Sequence, residues 1–182
     1  MADKLVDKNF KEILSSQIVS VIGGVIAGLI LASYTDKILI IPGMLITLPA
    51  FLDLRGNISG SLASRLSSGL FLGVINPKKM HTKLVRGNVW ASFILAAIIS
   101  LALGLVAFLF NNFAMHSYYP AIILIFLIAG VIANLIEIPL TIYLTFYLFR
   151  KGHDPNNIMG PFVTSTGDIT SVLSILLALV II

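Results

Sequence analysis

The residue whose surroundings most clearly indicate chemistry is Asp168, in the stretch HDPNNIMGPFVTSTGDITS that covers residues 153–171. Within that stretch Asp154 and Pro155 predict a helix start, because aspartate is a favoured N-cap and proline is favoured at the first helical position. Asp168 then lies about 20 Å along the helix. No basic residue follows Asp154, so the carboxylate has no counter-charge on its own helix.

Several oxygen-bearing groups share a helix face with this carboxylate. Pro161, Thr164, Asp168 and Ser171 are spaced by three and four residues, which places them on one side of the helix. Pro161 also frees a backbone carbonyl near that face. Carboxylate, hydroxyl and carbonyl oxygens are the ligands that hard cations prefer. The pattern therefore predicts that Asp168 and Thr164 belong to a cation site, with Ser171 lining the pathway.

A second group of polar residues lies in PAFLDLRGNISGSLASRLS, residues 49–67, inside a long apolar run. An ionisable residue within a membrane helix costs about 2.5–3.5 kcal/mol on insertion scales, and it indicates function by default. Asp53 and Arg55 could pair with each other, lie near the membrane surface, or belong to a cation pathway. Arg65 could extend its side chain to the cytoplasmic surface.

Small residues in the same run indicate a close helix contact beside a polar pathway. Four of them recur every four residues, the spacing that lets helix backbones approach. They lie next to Asn57 and Ser61, which favours a polar pathway over simple packing. The four are Gly56, Gly60, Ser64 and Ser68.

A third polar position is Glu137, close to Asn134 and two residues before Pro139. Proline within a helix leaves backbone groups without their usual partners. Glu137 and Asn134 could bond those groups, or they could line a cavity, and the sequence does not separate the two.

The composition indicates a membrane protein. Of 182 residues, 58% are hydrophobic and 11% are charged, which is far from the balance of soluble domains. There is no cysteine, so disulfides, thiolate metal sites and cysteine catalysis are excluded. The chain has neither a P-loop nor a Ser-His-Asp arrangement, and the net charge of +4 reflects short basic segments between apolar runs rather than a nucleic-acid surface. We expect a non-enzyme with no nucleic-acid partner.

The elements that position these residues are five predicted membrane helices in one transmembrane domain, 1–182, without a cytosolic regulatory domain. The second helix is expected to break near Pro42 and Pro49, and the fourth is expected to be long and kinked at Pro139. The helices are predicted near residues 13–33, 38–73, 89–110, 119–149 and 158–182.

The distribution of basic residues predicts the orientation. Segments 1–11, 76–88 and 149–157 are basic, whereas 34–37 and 111–119 are nearly neutral. The positive-inside rule places the first three in the cytoplasm, with the N-terminus inside and the C-terminus outside. We expect the first apolar run to be retained rather than cleaved as a signal peptide, because it leads directly into further membrane segments.

Two motifs resemble a known family. The first combines RGN at 55–57 with LASRLS at 62–67, and the second combines DPNN at 154–157 with Pro161 and the stretch 164–168. Together they are similar to the MgtE-type magnesium channel and transporter domain. The resemblance is strongest to single-domain prokaryotic relatives of the animal solute carriers that carry this domain twice. It extends over essentially the whole chain.

The resemblance implies a homodimer of five-helix subunits with a cation pore on the two-fold axis, lined by the second and fifth helices. It assigns metal binding to Asp168 and pore lining to Gly56 and Asn57, and we add Asp53 as a further candidate metal ligand. The transported ion would be Mg²⁺, with other divalent cations also possible, in a multi-pass protein of the plasma membrane.

Two other functions fit parts of the sequence. An intramembrane aspartyl protease is suggested by Gly167 and Asp168 together with Asp53, but such proteases need Gly-x-Gly-Asp and position 165 is Ser165. A non-catalytic membrane assembly subunit would leave Asp168 unexplained. The leading interpretation is a divalent-cation channel or transporter that prefers Mg²⁺.

Overall fold

The computed structural model describes the backbone of residues 2–182 and the side chains of residues 7–182. In that part of the chain every regular element is a helix, which confirms the all-helical prediction. The helices are α1 (Ala2–Ser33), α2 (Thr35–Leu39), α3 (Met44–Phe71), α4 (Lys83–Ala114), α5 (Ala121–Arg150) and α6 (Pro155–Ile181).

The described residues form six helices rather than five, because the predicted second helix is divided into α2 and α3. The break falls at Pro42, as predicted, whereas α3 continues without a break through Pro49. Gly43 adopts a left-handed conformation with φ 69° and begins α3. The side-chain amide of Asn111 on α4 donates to the Pro42 carbonyl at 2.6 Å, and a Cβ at Gly43 would collide with the same side chain.

Two helices begin earlier than their apolar runs predicted, because polar first turns are also helical. α1 includes residues before position 13, where Lys11 and Asp7 form an i,i+4 ion pair of 2.8 Å. α4 begins at Lys83 rather than near position 89, since Thr82 caps it by accepting a hydrogen bond from the Val85 amide.

In the part of the chain that the structure describes, four helices are long and apolar enough to cross a membrane, namely α1, α4, α5 and α6. α3 has 28 residues, about 42 Å at the helical rise, but polar residues such as Asp53, Arg55 and Asn57 lower its hydropathy. The chain is therefore a multi-pass membrane protein, and a fifth span through α3 stays a prediction.

α6 lies at the centre of the packing. It contacts α1, α3 and α5, while α3 lies between α6 and α4. Among the described residues, three apolar clusters form the core: two larger ones, around Phe51 and Phe126 and around Leu66 and Phe146, and a small one of Ala63, Met159 and Val163 where α3 meets α6. The polar residues considered below lie between these clusters or on the open face of α3 and α6.

Candidate metal-transport site

Asp168 lies in the middle of α6 with its side chain partly exposed. Thr164, one turn earlier on the same face, is exposed, and its hydroxyl donates to the Gly160 carbonyl at 3.0 Å. No ion pair among residues 7–182 involves Asp168. The structure thus places an uncompensated carboxylate and a hydroxyl oxygen together at an open surface.

The backbone carbonyl that Pro161 frees does not join this group. Pro161 cannot donate to the carbonyl of Asn157, one helical turn earlier, and that oxygen instead accepts a hydrogen bond from the Ser16 hydroxyl of α1 at 3.0 Å. The expectation that it contributes to the Asp168 face is therefore wrong. The freed carbonyl attaches α1 to the first turns of α6.

α3 and α6 approach closely beside Asp168. A Cβ on Gly56 would lie 3.6 Å from the Thr164 hydroxyl oxygen, and a Cβ on Gly167 would lie 4.0 Å from the Gly56 amide nitrogen. Gly60 faces Val163 of α6 in the same way. The small-residue stripe of α3 is therefore a contact with α6, and it brings Gly56 to the position of Thr164 and Asp168.

Asp53, Asn57 and Ser61 form a second group, on the side of α3 that faces α4. The amide of Asn57 donates to the Asp53 carboxylate at 2.9 Å. All three side chains are exposed and line a groove of about 500 Å³ whose other wall is α4. Pairing of Asp53 with Arg55 is wrong, because residues two apart on a helix point in different directions and Asp53 bonds to Asn57 instead.

The predicted metal-site and pore-lining residues thus divide between two sides of α3. Gly56, Thr164 and Asp168 lie on the α6 side, and Asp53 and Asn57 lie on the α4 side. Within the described side chains, no three His, Asp or Glu residues are grouped closely enough to hold a metal ion. One subunit therefore supplies at most part of a coordination shell.

The remaining predicted lining residues are buried inside the subunit. Glu137 is fully buried and accepts hydrogen bonds from Thr170 at 3.1 Å and Thr166 at 3.4 Å, both on α6. Asn134 is also fully buried, and its amide donates to the Gly130 carbonyl at 2.7 Å. Ser171 is buried with no partner for its hydroxyl among the described residues.

Arg55 is the buried charge whose environment the sequence did not indicate. It is fully buried, and its three guanidinium nitrogens have no hydrogen-bond partner within residues 7–182. The opposite charge buried in the same interior is Glu137 on α5, although no N···O contact within 4.0 Å joins the two. The sequence did contain one signal of this pairing: a positive charge, Arg55, and a negative charge, Glu137, each lie near the middle of an apolar segment.

Several apolar helices around an uncompensated mid-helix carboxylate define a multi-pass membrane protein of the ion-transporting class. Comparison with protein families agrees: the model of the MgtE family, described as a divalent cation transporter, matches residues 48–178. The chain belongs to the MgtE family of divalent cation transporters. That match covers α3 to α6 with both motifs, and the family is one of transporters rather than enzymes. No curated protein matches the chain significantly.

Proposed function

We propose that the protein is a homodimeric, Mg²⁺-preferring channel or transporter of the plasma membrane, with a pore lined by α3 and α6 of both subunits. The observation that carries this proposal is Asp168, an unpaired carboxylate in the middle of α6 beside the exposed Thr164 and the close contact at Gly56. The plasma-membrane location, the orientation and the fifth span through α3 belong to the same proposal.

The sparse coordination in one subunit supports Mg²⁺ and a dimer together. Mg²⁺ dehydrates reluctantly and is usually bound by one or two carboxylates while it keeps several waters. Two Asp168 side chains around a hydrated ion meet that requirement, with neither subunit holding a complete site. Asn57 and Asp53, on the adjoining side of α3, offer oxygens to the water shell as the ion enters or leaves.

The membrane potential supplies a driving force for entry. A divalent ion moving inward through 100 mV, inside negative, gains about 4.6 kcal/mol, twice the roughly 2.3 kcal/mol per elementary charge. Passive influx through a channel is therefore favourable without ATP. Coupling to Na⁺ or H⁺ is the alternative mechanism, and flux measured with and without those gradients separates the two.

The test is Mg²⁺ flux into proteoliposomes that contain an Mg²⁺ indicator. We expect the parent to conduct Mg²⁺, Asp168→Asn to abolish conduction, and Asp36→Asn to leave it unchanged. Asp36 is a matched control because it is an exposed aspartate on the short helix α2, away from the proposed pore. Parental flux through the Asp168→Asn variant would contradict the proposal.

A further inference from the structure

A polar layer divides the core of the subunit between its two larger apolar clusters. Its charged members are Arg55 on α3 and Glu137 on α5, both fully buried. In the chain they fall between the cluster residues Phe51 and Leu62 on α3 and between Ala129 and Ile138 on α5. Two opposite charges at one level, inside a bundle this apolar, require a physical explanation.

The layer contains more hydrogen-bonding capacity than its direct contacts use. The guanidinium nitrogens of Arg55 lack partners, and so do Ser59 Oγ on α3, Asn134 Oδ1 on α5 and Ser171 Oγ on α6, all within the described part of the chain. These three helices pack against one another. Buried polar groups without direct partners are typically bridged by ordered water, which needs two to four polar neighbours.

The layer adjoins the proposed metal site through the contact between α3 and α6. The Cβ position at Gly167 is 3.9 Å from the Cβ of Arg55, so the arginine side chain leaves α3 next to the residue that precedes Asp168. Glu137 binds Thr166 and Thr170, which flank Asp168 on the inner side of α6.

We propose that Arg55 and Glu137 form a water-bridged ion pair that acts as a positioning pair for the metal site. The pair holds α3 and α5 against α6 and cancels the interior charge, so that Asp168 presents the one uncompensated charge of the three. Loss of either partner therefore changes the electrostatic potential at Asp168 with a defined sign. This inference rests on the proposed role of Asp168 in binding Mg²⁺.

The direction in which Mg²⁺ affinity changes distinguishes this role from simple packing, because the two single variants should change it in opposite directions. Glu137→Gln leaves Arg55 as an uncompensated positive charge near Asp168, and we expect Mg²⁺ affinity to fall about tenfold or more, since tenfold corresponds to 1.4 kcal/mol. Arg55→Met leaves the Glu137 charge uncompensated, and we expect affinity to rise. The double variant Arg55→Met/Glu137→Gln restores neutrality, so its affinity returns close to the parental value.

The experiment follows the melting temperature of the detergent-solubilised protein in EDTA and across an Mg²⁺ titration. In EDTA we expect each single variant to melt below the parent and the double variant to recover most of the lost melting temperature. The reason is that removing one partner leaves a buried charge uncompensated, whereas replacing both partners does not. The midpoint of Mg²⁺ stabilisation reports affinity. Arg65→Met is the matched control: Arg65 lies on α3, is exposed and donates to Ser92, so its loss should leave the midpoint unchanged.

Each outcome has a defined meaning. Midpoints that move in the same direction in both single variants, or a double variant as unstable as the summed losses of the singles, overturn the inference. If both single variants are too unstable to purify while the double variant is stable, the inference is supported. That result is the expected rescue of stability by the second substitution, in its strongest form. A parent with no Mg²⁺ stabilisation contradicts the proposed function instead, while the metal-free cycle still tests the pair.

Discussion

A carboxylate in the middle of a membrane helix carries a free-energy penalty that a bound cation removes, so the proposed metal binding at Asp168 would also affect stability. In a dimer two such carboxylates meet at the pore, where like charges disfavour joint ionisation unless a cation lies between them. In the proposed dimer, the cation that passes through the protein would therefore also stabilise it.

Asp168→Asn should therefore separate two kinds of stability. We expect the variant to lose the Mg²⁺-dependent rise in melting temperature, because each subunit loses its negative charge at the site. In EDTA it should melt at or above the parental temperature, because the carboxylate repulsion is gone. Melting curves across an Mg²⁺ titration measure both effects. If Asp168→Asn instead lowered the free energy of unfolding in EDTA by about 3–5 kcal/mol, Asp168 would be a member of a buried ion pair.

The effect of substitutions at Gly56 on Mg²⁺ flux should increase with the size of the new side chain. A Cβ there would make an ordinary contact with the Thr164 hydroxyl at 3.6 Å, so Gly56→Ala should keep flux close to parental. Gly56→Leu should block flux, because the larger side chain must separate α3 from α6 or enter the pathway. Gly87→Leu is the control, since nothing lies within 4 Å of that position on α4. Normal flux through Gly56→Leu would show that this contact lies outside the pathway.

At the residue scale, the sequence indicates which residues are candidates for function better than it indicates what each of them contacts. The run of small residues, the unpaired Asp168 and the helical face it shares with Thr164 all follow from composition and spacing. Gly56 and Asn57 are adjacent in one motif, yet they face α6 and α4 respectively, because successive helical residues point about 100° apart. Which helix occupies each direction depends on tertiary packing, and so does the partner of Arg55.

At the scale of elements, α1 is attached to the start of α6 by a cluster of polar contacts around Glu12. This carboxylate is almost fully buried and accepts from His153 at 2.9 Å and from the Asn157 side chain at 3.0 Å. Ser16 adds its bond to the Asn157 backbone. Further along, a Cβ on Gly23 would lie 2.6 Å from Ser165 Cβ, so α1 fits tightly against α6.

Glu12→Ala should destabilise the protein by about 1–3 kcal/mol, because it removes a buried charged acceptor and leaves the partly buried Asp154 amide and Asn157 side chain without that partner. Asp7→Ala is the control: its ion pair with Lys11 is exposed and should contribute less than about 1 kcal/mol. Thermal melting of both variants in one detergent compares them. Equal effects at the two positions would show that the Glu12 contacts do not hold α1 in place.

The helices themselves were largely predictable, since each apolar run became a helix and Pro42 marked the break. Their polar ends were not, because the first turns of α1 and α4 depend on caps and ion pairs rather than on apolarity. The Glu12 cluster was also beyond sequence reasoning. Its members are more than 140 positions apart, and only the folded chain brings them together.

At the scale of the whole molecule, a pore between subunits requires the open face of α6 to meet its copy. The chain has no cysteine, so a single introduced thiol is unique in each subunit. Thr164→Cys should form a covalent dimer with a short bifunctional thiol reagent, because the exposed Thr164 lies beside the proposed axis. Ile98→Cys, exposed on α4, should not. Mass measurement in nanodiscs checks the assembly, and a transport-active monomer would contradict it.

The polar character of α3 also affects how the protein enters the membrane. α3 is not among the four helices that are apolar enough to insert by themselves, and a charge at mid-helix costs about 2.5–3.5 kcal/mol during insertion. In the proposed five-span topology, we expect its entry into the bilayer to be coupled to partners made later in synthesis, with Glu137 on α5 offsetting the charge of Arg55. Until α5 and α6 are present, α3 can remain at the membrane surface, and every helix after it would then have the opposite orientation. In that topology, the contacts that build the proposed transport pathway would also determine on which side of the membrane each loop emerges.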